Sequence, residues 1–189
     1  MKKLYLPAFL MVFLAAGISM ASGASPALQG YQKANKLFAE AKYREALPLY
    51  QKALVAPPEN VPRCDVHSRI GDTYFHLNDY RNSLESYRSA IKDQKPADRP
   101  QTQYWIGFCS FLAGRDTDAV DEFLKIPRLY PEASMWVTTA YYWAGRASER
   151  MGRKDQAAEY YKKAGGNGKS TQGRYAMKKA EAVNGAGAK

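Results

Sequence analysis

His67 and His76 are the only histidines of the 189-residue chain, and Cys64 and Cys109 its only cysteines. Imidazole and thiolate are the usual makings of a metal site or of a nucleophile with its base. The spacing works against both. Nine residues along one predicted helix turn through about 900°, so the two imidazoles point to opposite faces and cannot share a metal. His67 reads as a packing residue at a place usually taken by a large side chain. Asp121 and Glu122 are helix neighbours that face different ways, and both read as solvated. Gly165-Gly166-Asn167-Gly168 offers glycines of the kind that cradle phosphate, but they follow a helix rather than a strand and lack the phosphate-loop order. No Ser–His–Asp or Cys–His set can be assembled. The sequence therefore predicts no catalysis, no metal and no cofactor.

What positions these residues is a repeat. Ala34, Gly71, Gly107 and Gly145 are anchors 37, 36 and 38 residues apart, and the same chemistry returns around each. Three or four places on come Leu37-Phe38, Tyr74-Phe75 and Phe111, with Ser148 in the last. Twelve places on come Ala46, Ser83, Ala119 and Ala157; sixteen on, Tyr50, Tyr87, Phe123 and Tyr161; nineteen on, Ala53, Ala90, Ile126 and Ala164. Small residues at the anchor and the twelfth place let two short helices approach closely. Such a pair cannot bury its own faces, so stacked pairs share one continuous core. The turns read Ala41-Lys42-Tyr43, Asn78-Asp79-Tyr80, Gly114-Arg115-Asp116 and Gly152-Arg153-Lys154, and the last three place Asn or Gly where a left-handed C-cap is wanted. Asp79 and Asp116 are expected to cap the helices that follow. Pro127 is expected to end or kink its helix early, Pro48 to sit near a first turn where a missing N–H costs little, and the first helix of the fourth unit to run from about Glu132 to Met151.

Over Ala27 to about Thr171 this pattern resembles the tetratricopeptide-repeat family. Ile70-Gly71-Asp72-Thr73-Tyr74-Phe75 with Asp79-Tyr80, and Trp143-Ala144-Gly145-Arg146 with Ala157-Ala158-Glu159-Tyr160-Tyr161, carry the likeness best. The resemblance implies an all-α, right-handed solenoid of four helix-turn-helix units at about 27–60, 64–97, 100–133 and 138–171. A capping helix at 170–183 and a flexible tail at 184–189 follow. It also implies a protein or peptide partner bound along the concave face, which the first helix of each pair supplies. Carried over by register, that face holds Tyr31, Asn35, Phe38, Asp72 and Phe75. It continues with Tyr104, Phe108, Phe111, Tyr142 and Arg146. Tyr104 and Phe108, four apart, are expected to form one exposed patch whose loss barely moves the melting temperature. Chaperone-binding members clamp a terminal carboxylate at places held here by Tyr31, Asn35, Arg69, Gln101 and Trp105; only Asn35 matches, so that partner class is not expected. In this register Cys64 and Cys109 are staggered by nine residues, about 13 Å along parallel helices. A disulfide tolerates about 7 Å between Cα atoms, so both are expected to be free.

Met1-Lys2-Lys3, the apolar run Leu4 to Ile18 and the small residues Ala21-Ser22-Gly23-Ala24 have the layout of a secretory signal peptide over 1–24, or of an uncleaved anchor. Either predicts a periplasmic or secreted protein. The formal charge is +10, and without Lys2 and Lys3 it is 26 − 18 = +8. Solubility accounts for that excess, as does an anionic partner; nucleic acid is not expected. From Lys162 onward Lys162, Lys163, Lys169, Arg174, Lys178, Lys179 and Lys189 face only Glu181, a net +6 suited to anionic membrane or cell-wall polymer. Two readings result: an envelope scaffold, in which the fourth unit resembles exported proteins of the Tol-Pal-associated cell-division coordinator type, and a basic surface-binding module. The oligomeric state stays open.

Overall fold

A computed structural model describes residues 24–166 and 171–185. Residues 1–23 of the expected leader, Lys169 and the tail from 186 lie outside the described residues. The α-helices are α1 (Pro26–Ala39), α2 (Tyr43–Val55), α3 (Arg63–His76), α4 (Tyr80–Asp93), α5 (Arg99–Leu112), α6 (Asp116–Leu129), α7 (Ser134–Arg150), α8 (Lys154–Gly165) and α9 (Thr171–Gly185). A one-turn 3-10 helix, Pro96–Asp98, precedes α5. There is no strand among the described residues. Each helix packs on the next in chain order, giving four hairpins with α9 laid against α8. The fold is an all-α solenoid. Its first helices also touch one another directly, α5 with α7 and α7 with α9, whereas α2, α4, α6 and α8 make no contact of that extent among themselves. The stack therefore bends with α5, α7 and α9 on the inside of the curve, and α3 holds the equivalent place in its hairpin.

The anchor explains each hairpin. A Cβ on Gly71 would lie 2.9 Å from the Tyr87 ring, and one on Gly107 or Gly145 would lie 2.8 Å from the ring of Phe123 or Tyr161. Only a residue without a side chain lets these rings, buried at 0–3% exposure, lie flat on the neighbouring backbone. In the first hairpin Ala34 and Tyr50 are both fully buried. The turns are equally uniform. Ala41, Asn78, Gly114 and Gly152 are left-handed, at φ 57°, 59°, 76° and 74°. The N–H of the residue after each returns to a carbonyl five back: Lys42 to Leu37 at 2.8 Å, Asp79 to Tyr74, Arg115 to Ser110 and Arg153 to Ser148 at 2.9 Å. This is the Schellman closure of a helix C-terminus.

Four local expectations need correction. Asp79 does cap α4, its Oδ1 accepting from the Asn82 N–H at 3.2 Å, but Asp116 is no cap. It lies inside the first turn of α6, and its carboxylate accepts from the Arg150 guanidinium on α7, a cation that competes well against a backbone N–H. Pro127 does not end α6, which runs on to Leu129; in the last turn its missing N–H frees one carbonyl only. Helix α7 begins at Ser134 rather than near Glu132, and its 17 residues still exceed the 14 of α5. Glu122 is buried rather than solvated, with its side chain 8% exposed, while Asp121 is exposed.

The end of the stack formed by α1 differs from its interior. The place before the anchor is buried Ile70, Ile106 or Ala144, and two places after it lies buried Thr73, Cys109 or Ala147. In α1 the same two places hold exposed Lys33 and Lys36.

Candidate functional site

Along the inner face the seam between α3 and α5 is open, and the seam between α5 and α7 is closed. The open seam holds a cleft of about 210 Å³ whose walls include Asp65, Ser68, Asp72, Gln94, Asp98 and Trp105. Two turns of α3, the C-cap of α4 and the start of α5 bring these groups together. The Tyr87 hydroxyl, reaching up from α4, donates to Asp72 Oδ1 at 2.7 Å, and Arg69 stands 3.8 Å from Oδ2. Burial raises the Asp72 carboxyl above its ordinary value, against the pull of the Tyr87 hydrogen bond and of Arg69. Burial beside that carboxylate likewise pushes the Tyr87 phenol far up. The same tether recurs in the first hairpin, where Tyr50 donates to Asn35 Oδ1 at 2.8 Å.

The closed seam is filled by the chain's own rings. Trp143 meets Phe108 edge-on at 4.7 Å and Phe111 at 5.2 Å, Tyr104 lies 5.6 Å from Phe108, and Trp136 covers Tyr104 at 5.4 Å. Such edge-to-face and offset geometries are those aromatic pairs prefer. Phe111 is 8% exposed and belongs to the core, with the Arg150 guanidinium 3.8 Å above its ring. Tyr104 and Phe108 are half-buried, not an exposed patch, and burial pushes the Tyr104 phenol up to about 12. The register had placed these rings correctly on the inner helices. What it missed is that α7 approaches α5 closely enough to cover them, through Trp136 in its first turn and Trp143 further along.

The remaining expected residues fall into separate groups. On α1, Tyr31 lies 5.7 Å from Tyr50, and Phe38 lies edge-on to Tyr43 at 5.2 Å and to His76 at 5.4 Å. Phe75 joins the two seams, 5.2 Å from Trp105 and 6.0 Å from Phe108. At the far end Tyr142 accepts from Arg146 at 3.4 Å and lies 5.7 Å from Tyr161, whose hydroxyl donates to Glu149 at 2.6 Å. Of the basic group, Lys163 pairs with Glu159 at 2.7 Å, Lys179 with Glu149 at 3.4 Å, and Arg174 donates to Thr171 at 3.2 Å; Lys162 and Lys178 are exposed. Cys64 and Cys109 are both free and buried, the latter 3.3 Å from the Ser83 hydroxyl, and burial pushes its thiol up to about 11. A cleft of about 390 Å³ between α1 and α2 is lined by Pro26, Ala27, Gly30, Leu49 and Ala53 and offers almost only apolar contact.

On the outer side the seam between the second and third hairpins is latched by Glu122. It receives Lys125 at 2.6 Å, Gln103 at 2.8 Å and Arg88 of α4 at 3.0 Å. Burial alone would raise this carboxyl, but the three donors hold it below its ordinary value.

Comparison with known proteins agrees with this architecture. Residues 68–134 and 138–164 match family signatures described as tetratricopeptide repeat. Among solved structures, one titled as the MamA protein is 20% identical, covering 84% of this chain and 82% of its own, with a TM-score of 0.64. YrrB, titled a tetratricopeptide-repeat protein with an unusual peptide-binding site, is 21% identical over 81% of this chain and 75% of its own, with a TM-score of 0.63. A tetratricopeptide-repeat protein from Parabacteroides merdae is 16% identical over 84% of this chain and 60% of its own, with a TM-score of 0.68. Curated proteins yield no match. With the anchors, the left-handed turns and the family signatures in register, the chain carries tetratricopeptide repeats folded as a tetratricopeptide-repeat solenoid.

Proposed function

We propose that this protein is a non-catalytic scaffold of the bacterial cell envelope that holds an extended segment of a protein partner along its inner face. The observation that carries the reading is the open seam between α3 and α5, a 210 Å³ cleft on the inside of a curved helix stack. Concave faces of repeat arrays are where partners lie, and the fold neighbour YrrB is titled for a peptide-binding site. Export rests on the leader-like 1–24 alone. The basic-surface alternative is less favoured, because Lys163 and Lys179 already pair with carboxylates of the chain.

A photo-crosslinking amino acid at Gln101, exposed on α5, and another at Arg81, exposed on α4, test the reading in envelope extract. A discrete product from Gln101 and none from Arg81 is expected. Products from Arg81 alone, or retention by anionic vesicles that 0.5 M salt abolishes with no Gln101 product, would overturn it. N-terminal mass analysis checks export: a start at Ser22 or Ser25, or an intact membrane-held form, is expected.

A further inference from the structure

We infer that the cleft between α3 and α5 is a subsite for a cationic side chain, so that the partner segment presents an arginine or lysine there. The inference rests on the inner-face reading above and names the chemistry of that same site.

Three carboxylates border the cleft: Asp65, Asp72 and Asp98. Asp65 and Asp98 are not spent on closing the fold there, whereas Asp72 is tethered to Tyr87. Asp98 stands at the N-cap of α5 yet makes no side-chain capping bond, and Asp65 accepts only a long contact from the Cys64 thiol at 3.7 Å. Asp72 keeps lone pairs beyond its bond from Tyr87. Of the flanking cations, Arg69 stands 3.8 Å from Asp72 Oδ2 and Arg99 donates to the Gln94 carbonyl at 3.0 Å, which leaves Asp65 and Asp98 without an ion-pair partner among the described residues.

An independent observation points the same way. The Ser68 hydroxyl donates to the Cys64 carbonyl at 2.9 Å, so toward Gln94 it can only accept, and the Gln94 amide nitrogen faces it at 3.2 Å. Gln94 Oε1 is left fully buried in the cleft wall with no hydrogen-bond partner. A buried acceptor without a donor is destabilising, and native proteins seldom keep one without a reason. The open positions on Asp65, Asp72, Asp98 and Gln94 are acceptors, and a guanidinium or ammonium is a donor-only group suited to them. The Trp105 ring supplies an aromatic wall suited to a planar cation. The cleft is acidic although the whole chain carries +10, so its preference is local and opposite to the net charge.

The test uses the 15N-labelled protein and acetylated Gly-Ser octapeptides carrying one central arginine, lysine, citrulline or glutamate. Citrulline keeps the shape of arginine without its charge. Expected is movement of the Trp105 indole and of the Gln94 and Gln101 side-chain amides with the arginine and lysine peptides, and at least fivefold weaker binding of citrulline. Asp65→Asn with Asp98→Asn, both at exposed positions, should weaken the arginine peptide at least fivefold while leaving the circular-dichroism melt in place. If the double variant melts early, Asp98→Asn alone carries the comparison. Equal binding of citrulline or glutamate, movement confined to Trp136 and Trp143, or no movement with any peptide overturns the inference. A Gln101 crosslink that survives such a result keeps the scaffold reading and removes only the cationic subsite; loss of that crosslink removes the scaffold reading itself.

Discussion

The seams on either side of α5 are built from the same repeat and end up as opposites. Between α3 and α5 the residue after the anchor is Asp72, the ring sixteen places beyond the anchor is Tyr87, and the two are hydrogen-bonded at 2.7 Å. Between α5 and α7 the corresponding residues are Phe108 and Phe123, two rings with no polar group to tether. Carbon at both places lets Trp143 and Trp136 close over the third unit, whereas a carboxylate and a phenol demand hydration or a polar ligand. The exchange of polar for apolar at this matched pair accompanies the difference between wall and cleft, while Trp105 on Phe75 and Trp143 on Phe111 pack alike at 5.2 Å. The open seam is held from behind, through Arg88, Gln103 and Glu122, and on the inner face by Phe75 against Trp105.

The sharpest break of this contrast is in the rings themselves. Phe123→Ala should cost about 3–5 kcal/mol in denaturant unfolding, whereas Tyr87→Phe, which keeps the ring and loses one hydrogen bond, should cost about 1–2 kcal/mol. Comparable losses would mean that the seams are not held differently. Next, Tyr104→Ser with Phe108→Ser should destabilise by about 2–4 kcal/mol, since both rings are packed under Trp136 and Trp143. A double variant that melts like the parent and loses its partner would restore the exposed-patch reading.

Acid separates buried Glu122 from half-buried Asp72 with opposite signs. Glu122 is held below its ordinary 4.5, so it contributes stability above that value which is lost as pH falls through its folded pKa. Glu122→Gln should therefore cost about 1–3 kcal/mol at neutral pH and flatten the acid limb of the stability curve. Asp72 is raised above its ordinary 3.8, so its contribution is present at low pH and lost as pH rises through its folded pKa. Asp72→Asn should remove that dependence and change neutral stability little. Two-state unfolding followed from pH 3 to 7 reads both. The smallest effect is at the first turn, where Ala41→Gly, at φ 57°, should gain up to about 1 kcal/mol; a loss would show that this turn is not strained.

What was legible in the sequence is what one helix pair decides alone. Anchor, twelfth and sixteenth places meet within a hairpin, so Gly71 against Tyr87 follows from spacing. The left-handed turns follow from Asn78, Gly114 and Gly152, although Ala41 adopts the same φ without that chemistry. What was not legible depends on how one hairpin leans on the next. Whether Tyr104 is groove or filling is set by the approach of α7, which carries Trp136 and Trp143 from the following unit. Glu122 reads as a surface acid until Arg88, 34 residues earlier, is brought beside it. The Asp65–Asp98 cleft is likewise assembled from α3, the end of α4 and α5. Register places Gln101 on the inner helix, but that Trp105 lines the same cleft as Asp65 and Asp98 follows only from how the second and third hairpins meet.

Lys33 and Lys36 bear on how this solenoid behaves at high concentration. A helix stack that continues its own pattern is a template for end-to-end growth, since any copy able to dock its last helix on α1 extends the superhelix into a fibre. Docking of that kind needs the two places that the interior gives to Ile70, Thr73 and their equivalents. Here it would strip water from two ammonium groups facing α9, itself rich in lysine, an expense of several kcal/mol for each ion left unpaired. The repeat thus carries its own stop signal against polymerisation at this end, written as two charges in an otherwise apolar register.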